Sequence, residues 1–185
     1  MTDIRKPESA IVGFLERLGR LDAGGLAQLR RSAGQRLDES SRAYASFFPL
    51  IPQWVERPAD QELYFLVASL YALTTRAGEH QRQQSGVSLG KALHQLRQAQ
   101  LASTGRSQND QISLVRRFAA LIEADPEQLP FRLRQLVRLL YSQQLTLDWN
   151  RLLRDLFAWN ASNQRIQRRW MREYYTDQNE PIADS

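Results

Sequence analysis

The sequence predicts an all-α fold: a compact helical bundle, built either as one body or as two packed helical halves. Three observations carry this. Apolar residues recur at helical spacing in one segment after another, no stretch alternates with a strand's period of two, and Gly, Pro and Asx residues punctuate the intervals. A chain of 185 residues can bury roughly 70% of the surface its unfolded form exposes. The apolar share of 42% is ordinary for a folded domain.

The first helix is expected over 8–21, with Ile11, Phe14, Leu15 and Leu18 on one face. Gly24-Gly25 breaks it, and a short helix over 26–33 is ended by Gly34. The stretch 41–58 holds five aromatic or aliphatic anchors but also Pro49, Pro52 and Pro58, which predicts a short helix followed by an extended connection. Asp60 is placed to cap a strong helix over 61–76, stopped by Gly78. After a polar loop over 79–86 comes a helix near 88–97.

The Ser/Thr/Gly-rich stretch 99–109 is expected to be a mobile loop. It would divide an N-terminal helical half (1–98) from a C-terminal half (110–176), with an acidic tail at 177–185. Helices are expected near 110–123, 130–143, 148–159 and 162–175. Pro130 suits a first turn, where its missing N–H has no helical partner in any case. Short connections between these helices favour antiparallel packing.

Cysteine is absent, which excludes disulfides, thiolate zinc sites and a cysteine nucleophile. The polar start, Met1 to Glu8, does not read as a signal peptide. The longest apolar run, Leu63 to Leu73, is about half of the ~20 residues a membrane span needs. A soluble, cytoplasmic protein is the expectation.

Charge is more informative. The formal net charge is +5; Asp177, Glu180 and Asp184 contribute −3 and leave +8 on the rest. Of 25 basic residues only Lys6 and Lys91 are lysine. Codon bias would give such a composition. So would a phosphate-binding role, because the guanidinium fork matches phosphate geometry. Position separates the two. Asp60, Asp110 and Asp148 stand at expected helix starts, where a carboxylate complements the helix dipole. Between them lie acid-free windows over 23–37, 80–109, 128–147 and 156–172, each with basic residues.

In the last helix Arg165, Arg168, Arg169 and Arg172 fall in one stripe at 100° per residue, beside Ile166, Trp170 and Tyr174 on an inward face. A solvated face would mix in Glu at i,i+4; four cations in register instead ask for an anionic partner. Arg134 and Arg138 lie one turn apart, opposite Leu133, Leu136, Val137 and Leu140. Arg116 and Arg117 flank an expected apolar face of Ile112, Val115, Phe118 and Ile122, and Arg30-Arg31 complete the candidate nucleic-acid-binding set.

Nothing in the sequence points to catalysis. His80 and His94 lack an i,i+4 histidine partner, and no phosphate loop, nucleophile elbow or calcium loop is present. The carboxylate pairs Asp38-Glu39 and Asp125/Glu127 fit capping better than magnesium binding, and no cofactor is expected. Tyr174-Tyr175 with Trp170 reads as core or interface rather than a base-stacking surface.

Three segments carry a family resemblance. The longest runs from Leu133 to Tyr175 and includes Leu136-Val137-Arg138-Leu139-Leu140, Leu147-Asp148-Trp149, Leu152-Leu153-Arg154-Asp155-Leu156, Trp159, Arg168-Arg169-Trp170 and Tyr174-Tyr175. The others are Val87-Ser88-Leu89-Gly90-Lys91-Ala92-Leu93 and Ala27-Gln28-Leu29-Arg30-Arg31. Together they resemble the CasB small subunit of the type I-E CRISPR surveillance complex, Cascade.

The resemblance implies an all-helical, non-enzymatic subunit that sits as a pair of copies along the complex. It would contact the guide-binding backbone subunits and the large subunit, alongside guide RNA and target DNA. Its basic surface would hold the opened target, above all the displaced strand of the R-loop. Arg31, Arg117 and Arg138 carry over best, and the stripe from Arg165 to Arg172 carries over in kind. The longer 99–109 loop and Asn160 after Trp159 depart from the pattern. Two other readings stand beside it: a helical adaptor whose arginines face an acidic protein, and a metal-dependent nuclease.

Overall fold

The computed structural model describes residues 5–75, 86–102 and 108–176. Among these residues lie nine α-helices: α1 (Arg5–Gly19), α2 (Ala23–Arg31), α3 (Tyr44–Phe47), α4 (Pro58–Thr74), α5 (Leu89–Ala102), α6 (Gln108–Ile122), α7 (Leu129–Ser142), α8 (Trp149–Phe157) and α9 (Arg165–Tyr175). Short 3-10 turns at Ser41–Ala43 and Phe48–Leu50 flank α3. The all-α expectation is met. Extended pairing among the described residues is confined to one parallel bridge, Val87 with Leu147, which ties the lead-in of α5 to that of α8.

The centre of the molecule is α4. Every residue from Tyr64 to Ala72 is buried, as expected of a helix that is apolar on all sides. It packs against α2, α7 and α8, while α5 packs against α9 and α1 against α8. One apolar core therefore runs from Ile11 to Tyr174, straight across the boundary expected near 99–109. That stretch is also shorter than expected, because α5 continues to Ala102 and α6 begins at Gln108. Its middle, 103–107, lies outside the described residues, as do Gly78, His80 and the acidic tail.

Capping explains several helix starts and corrects one. Asp148 accepts the Arg151 amide at 2.9 Å as foreseen, and Asp22 caps α2 through the Gly25 amide at 2.7 Å. Asp125 accepts the amides of Glu127 and Gln128 just before α7, where Pro130 occupies the first turn. Asp60 is not a cap. Pro58 starts α4 early, Arg57 takes the cap position, and Asp60 sits in the first turn 3.9 Å from the Arg57 guanidinium.

The expected apolar face of α6 is also corrected. Leu114, Phe118 and Leu121 are the buried residues, whereas Ile112 and Val115 are 43% and 38% exposed. Phe118 is shared by both readings, but the inward direction is set by Leu114 and Leu121. Ile112, Val115, Arg116 and Ala119 form the outward face.

Candidate nucleic-acid interface

The clearest concentration of free positive charge is a cleft of about 420 Å³ lined by Arg117, Phe131, Arg134, Gln135, Arg138 and Leu139. Five of these belong to α7 at positions i, i+3, i+4, i+7 and i+8, one face of a helix. The opposite face, Leu133, Leu136, Val137 and Leu140, is buried. Packing of that face fixes the rotation of α7 and turns Arg134 and Arg138 outward, as the periodicity predicts. The sixth residue, Arg117, comes from α6, which packs alongside.

Adjacent arginines on α6 diverge. Side chains one residue apart point about 100° from each other, so Arg117 reaches the cleft while Arg116 lies on the outward face with Ile112 and Val115. Arg134 is positioned from below by Gly34, which adopts a left-handed φ of +83°. A Cβ on Gly34 would stand 2.7 Å from Arg134 Cδ, so the missing side chain makes room for the arginine stem. Gly34 follows α2 by three residues, and Arg31, the last residue of α2, is exposed.

The guanidinium groups of Arg117, Arg134 and Arg138 have no carboxylate within ion-pair distance among the described residues, and Arg134 Nε finds no acceptor. The capping carboxylates do not neutralise them: Asp22, Asp125 and Asp148 receive backbone amides. Like charges so close repel in the absence of an anion.

Two candidates are spent internally. Arg30 donates from Nε to the Ala72 carbonyl and from its terminal nitrogen to the Thr75 carbonyl, both at 2.8 Å. It caps the C-terminal end of α4, where carbonyls lack helical donors and the dipole favours a cation. Arg169 does not belong to the free stripe of α9. Its guanidinium turns onto the buried carboxylate of Asp155 and lies 4.0 Å from Glu173. Asp155 sits on α8, so no reading of α9 alone reveals the pairing.

Arg165, Arg168 and Arg172 remain exposed. Their helix is held by a polar lattice. Glu173 accepts the Ser88 hydroxyl and the Arg151 guanidinium, each at 2.7 Å. The indole N–H of Trp170 donates to Asp155 at 2.8 Å. Gly90 allows close approach, since a Cβ there would meet the Trp170 carbonyl and the Glu173 carboxylate at 2.7 Å. Trp170 and Tyr174 are fully buried, in line with their reading as core. The α9 stripe and the cleft are thus carried by different helix pairs, α5/α9 and α6/α7.

Of the carboxylates weighed for magnesium, Asp38 pairs with Arg36 at 3.5 Å, Glu39 accepts from the Arg36 amide, and Asp125 accepts the amides of Glu127 and Gln128. Sequence reasoning passed over Phe131, Gln135 and Leu139. The i, i+3, i+7 spacing of Phe131, Arg134 and Arg138 was a usable signal for the first.

Comparison with known proteins agrees with this architecture. The family model described as CRISPR-associated protein Cse2 matches residues 25–175. The chain is 35% identical over 167 residues to the CRISPR-associated protein Cse2 of Thermus thermophilus, covering 88% of each. It superimposes on the crystal structure of M. ruber CasB with a TM-score of 0.67 and 35% identity, over 91% of both chains. A chain of a CRISPR RNA-guided surveillance complex shares the fold with a TM-score of 0.68 at 24% identity, over 90% of this chain and 92% of that one. All three resemblance segments lie within the matched residues, and the chain belongs to the CRISPR-associated Cse2 family.

Proposed function

We propose that this chain is a non-catalytic small subunit of a cytoplasmic, RNA-guided DNA-targeting complex, and that it clamps nucleic-acid backbone through its free arginines. One observation carries the reading: Arg117, Arg134 and Arg138, from two helices, converge on one cleft with no carboxylate in ion-pair range among the described residues. The likeness to a chain of a CRISPR RNA-guided surveillance complex supports the setting. In that setting its partners are the guide-binding backbone subunits, the large subunit, a second copy of itself, guide RNA and target DNA.

Backbone clamping suits such a complex because guide pairing already reads the sequence. Exchange of a DNA duplex for an RNA–DNA hybrid is nearly balanced in free energy, so contacts to the displaced or target strand can tip R-loop formation. Each single-strand phosphate contact contributes a slope of about −0.7 to log K against log salt, or about −4 for six arginines.

The adaptor reading keeps one specific support, the outward face of α6 with Ile112 and Val115 exposed beside Arg116. Charge reversal of the cleft separates the readings. With Arg134→Glu and Arg138→Glu together, a clamp loses DNA retention while the complex still assembles. An adaptor that uses these arginines loses assembly itself.

A further inference from the structure

We infer that the α6–α7 cleft is a single-strand site in which one nucleobase stacks on the Phe131 ring while Arg117, Arg134 and Arg138 hold the neighbouring phosphates. This rests on the clamp reading and adds to it a base-stacking contact on a named ring.

Phe131 is out of place for a core aromatic. Phe14, Phe47, Phe65 and Phe118 are buried, and the other exposed phenylalanines lean on rings: Phe48 on Tyr44 and Phe47, Phe157 on Tyr64. Phe131 is 48% exposed and has no ring neighbour among the described residues. Its recorded aromatic contact is a guanidinium, that of Arg132, 5.8 Å from the ring centroid. Exposed aromatic surface costs free energy in water, and the i, i+3, i+7 register sets this ring directly beside Arg134 and Arg138.

The chemistry that fits is a π-face attached to an anionic chain. A base stacked on an aromatic side chain gains enough to be measured in any sequence, because every base has a face to offer. Bases within a duplex are stacked on each other and offer none. At about 420 Å³ the cleft falls within the roughly 300–1,000 Å³ of sites that accept small organic groups. Gln135, on the same wall, supplies a donor and an acceptor to a base edge or sugar.

The test uses the full-length chain and an oligothymidylate carrying one central 2-aminopurine, with the matched duplex as comparison. The parent protein is expected to bind the single strand more tightly than the duplex and to quench the probe. Phe131→Leu should weaken single-strand binding about tenfold, abolish the quenching and leave the salt slope intact, while Phe131→Trp retains all three properties. Equal behaviour of the Leu and Trp variants would overturn the stacking site. So would loss of Phe131→Leu from the assembled complex with unchanged oligonucleotide affinity, which would make the ring a protein contact. If Arg134→Glu/Arg138→Glu abolishes binding while Phe131→Leu matches the parent, stacking fails and the clamp stands. If neither variant changes affinity, or the parent binds no oligonucleotide, the clamp itself fails and the stacking site with it.

Discussion

The carboxylate of Asp155, buried on α8, is shared between the Arg169 guanidinium and the Trp170 indole N–H of α9. Two neighbouring residues of one helix thus satisfy one carboxylate of another, and the shared group fixes how far α9 is rotated. That rotation leaves Arg165, Arg168 and Arg172 in solvent.

Removal of the shared acceptor is costly. Asp155→Ala leaves an indole donor and a half-buried guanidinium without their partner, and a loss of about 2–4 kcal/mol is expected. Chemical denaturation measures it. Arg169→Ala should be destabilising as well, yet leave the salt dependence of single-strand binding unchanged. Arg168→Ala should behave in the opposite way, with stability within about 0.5 kcal/mol of the parent and a slope smaller by about 0.7.

Arg30 and Arg31 separate in the same two measurements. Arg30→Ala removes the donors to the Ala72 and Thr75 carbonyls and is expected to cost about 1–2 kcal/mol. Binding should be unaffected once the variant is folded. Arg31→Ala should preserve the unfolding midpoint and weaken binding.

Gly34→Ala tests the seat of the Arg134 stem. At φ +83° an alanine is strained, and its Cβ would meet the Arg134 stem. A cost of about 1–2 kcal/mol is expected, with a fall in single-strand affinity because Arg134 must move. Undiminished affinity and stability together would show that the glycine is not needed to seat the arginine.

Alkaline pH should unfold the protein through its buried tyrosines. Burial raises the hydroxyl pKa of Tyr64, Tyr71 and Tyr174 above the ordinary 10.0; for Tyr174 the Arg97 guanidinium opposes this and Tyr175 adds to it. Groups raised on folding stabilise in full below their unfolded value, and that stabilisation is lost as pH climbs through the raised folded values. The melting temperature should therefore hold through neutral pH and fall above about pH 10. Tyr174 Oη is buried without a hydrogen-bond partner among the described residues. Tyr174→Phe should thus raise stability by up to about 1 kcal/mol at neutral pH and flatten the alkaline decline.

Sequence by itself determined the helical class, the order of the helices, the caps at Asp148 and Asp125, and the outward face of α7. All of these follow from interactions within a turn or two of chain, where periodicity, proline and carboxylate placement act directly. It misjudged α6, because Ile112 and Val115 are apolar yet face outward while Leu114 and Leu121 reach the core. Hydrophobicity ranks residues without saying which face a neighbour will cover.

Tertiary structure alone decided which arginines stay free. Arg169 meets Asp155, Arg30 meets the end of α4, and Arg117 arrives from another helix to complete a cleft begun by Arg134 and Arg138. Charge acts across space between elements far apart in the chain, so its balance is settled only when the helices pack.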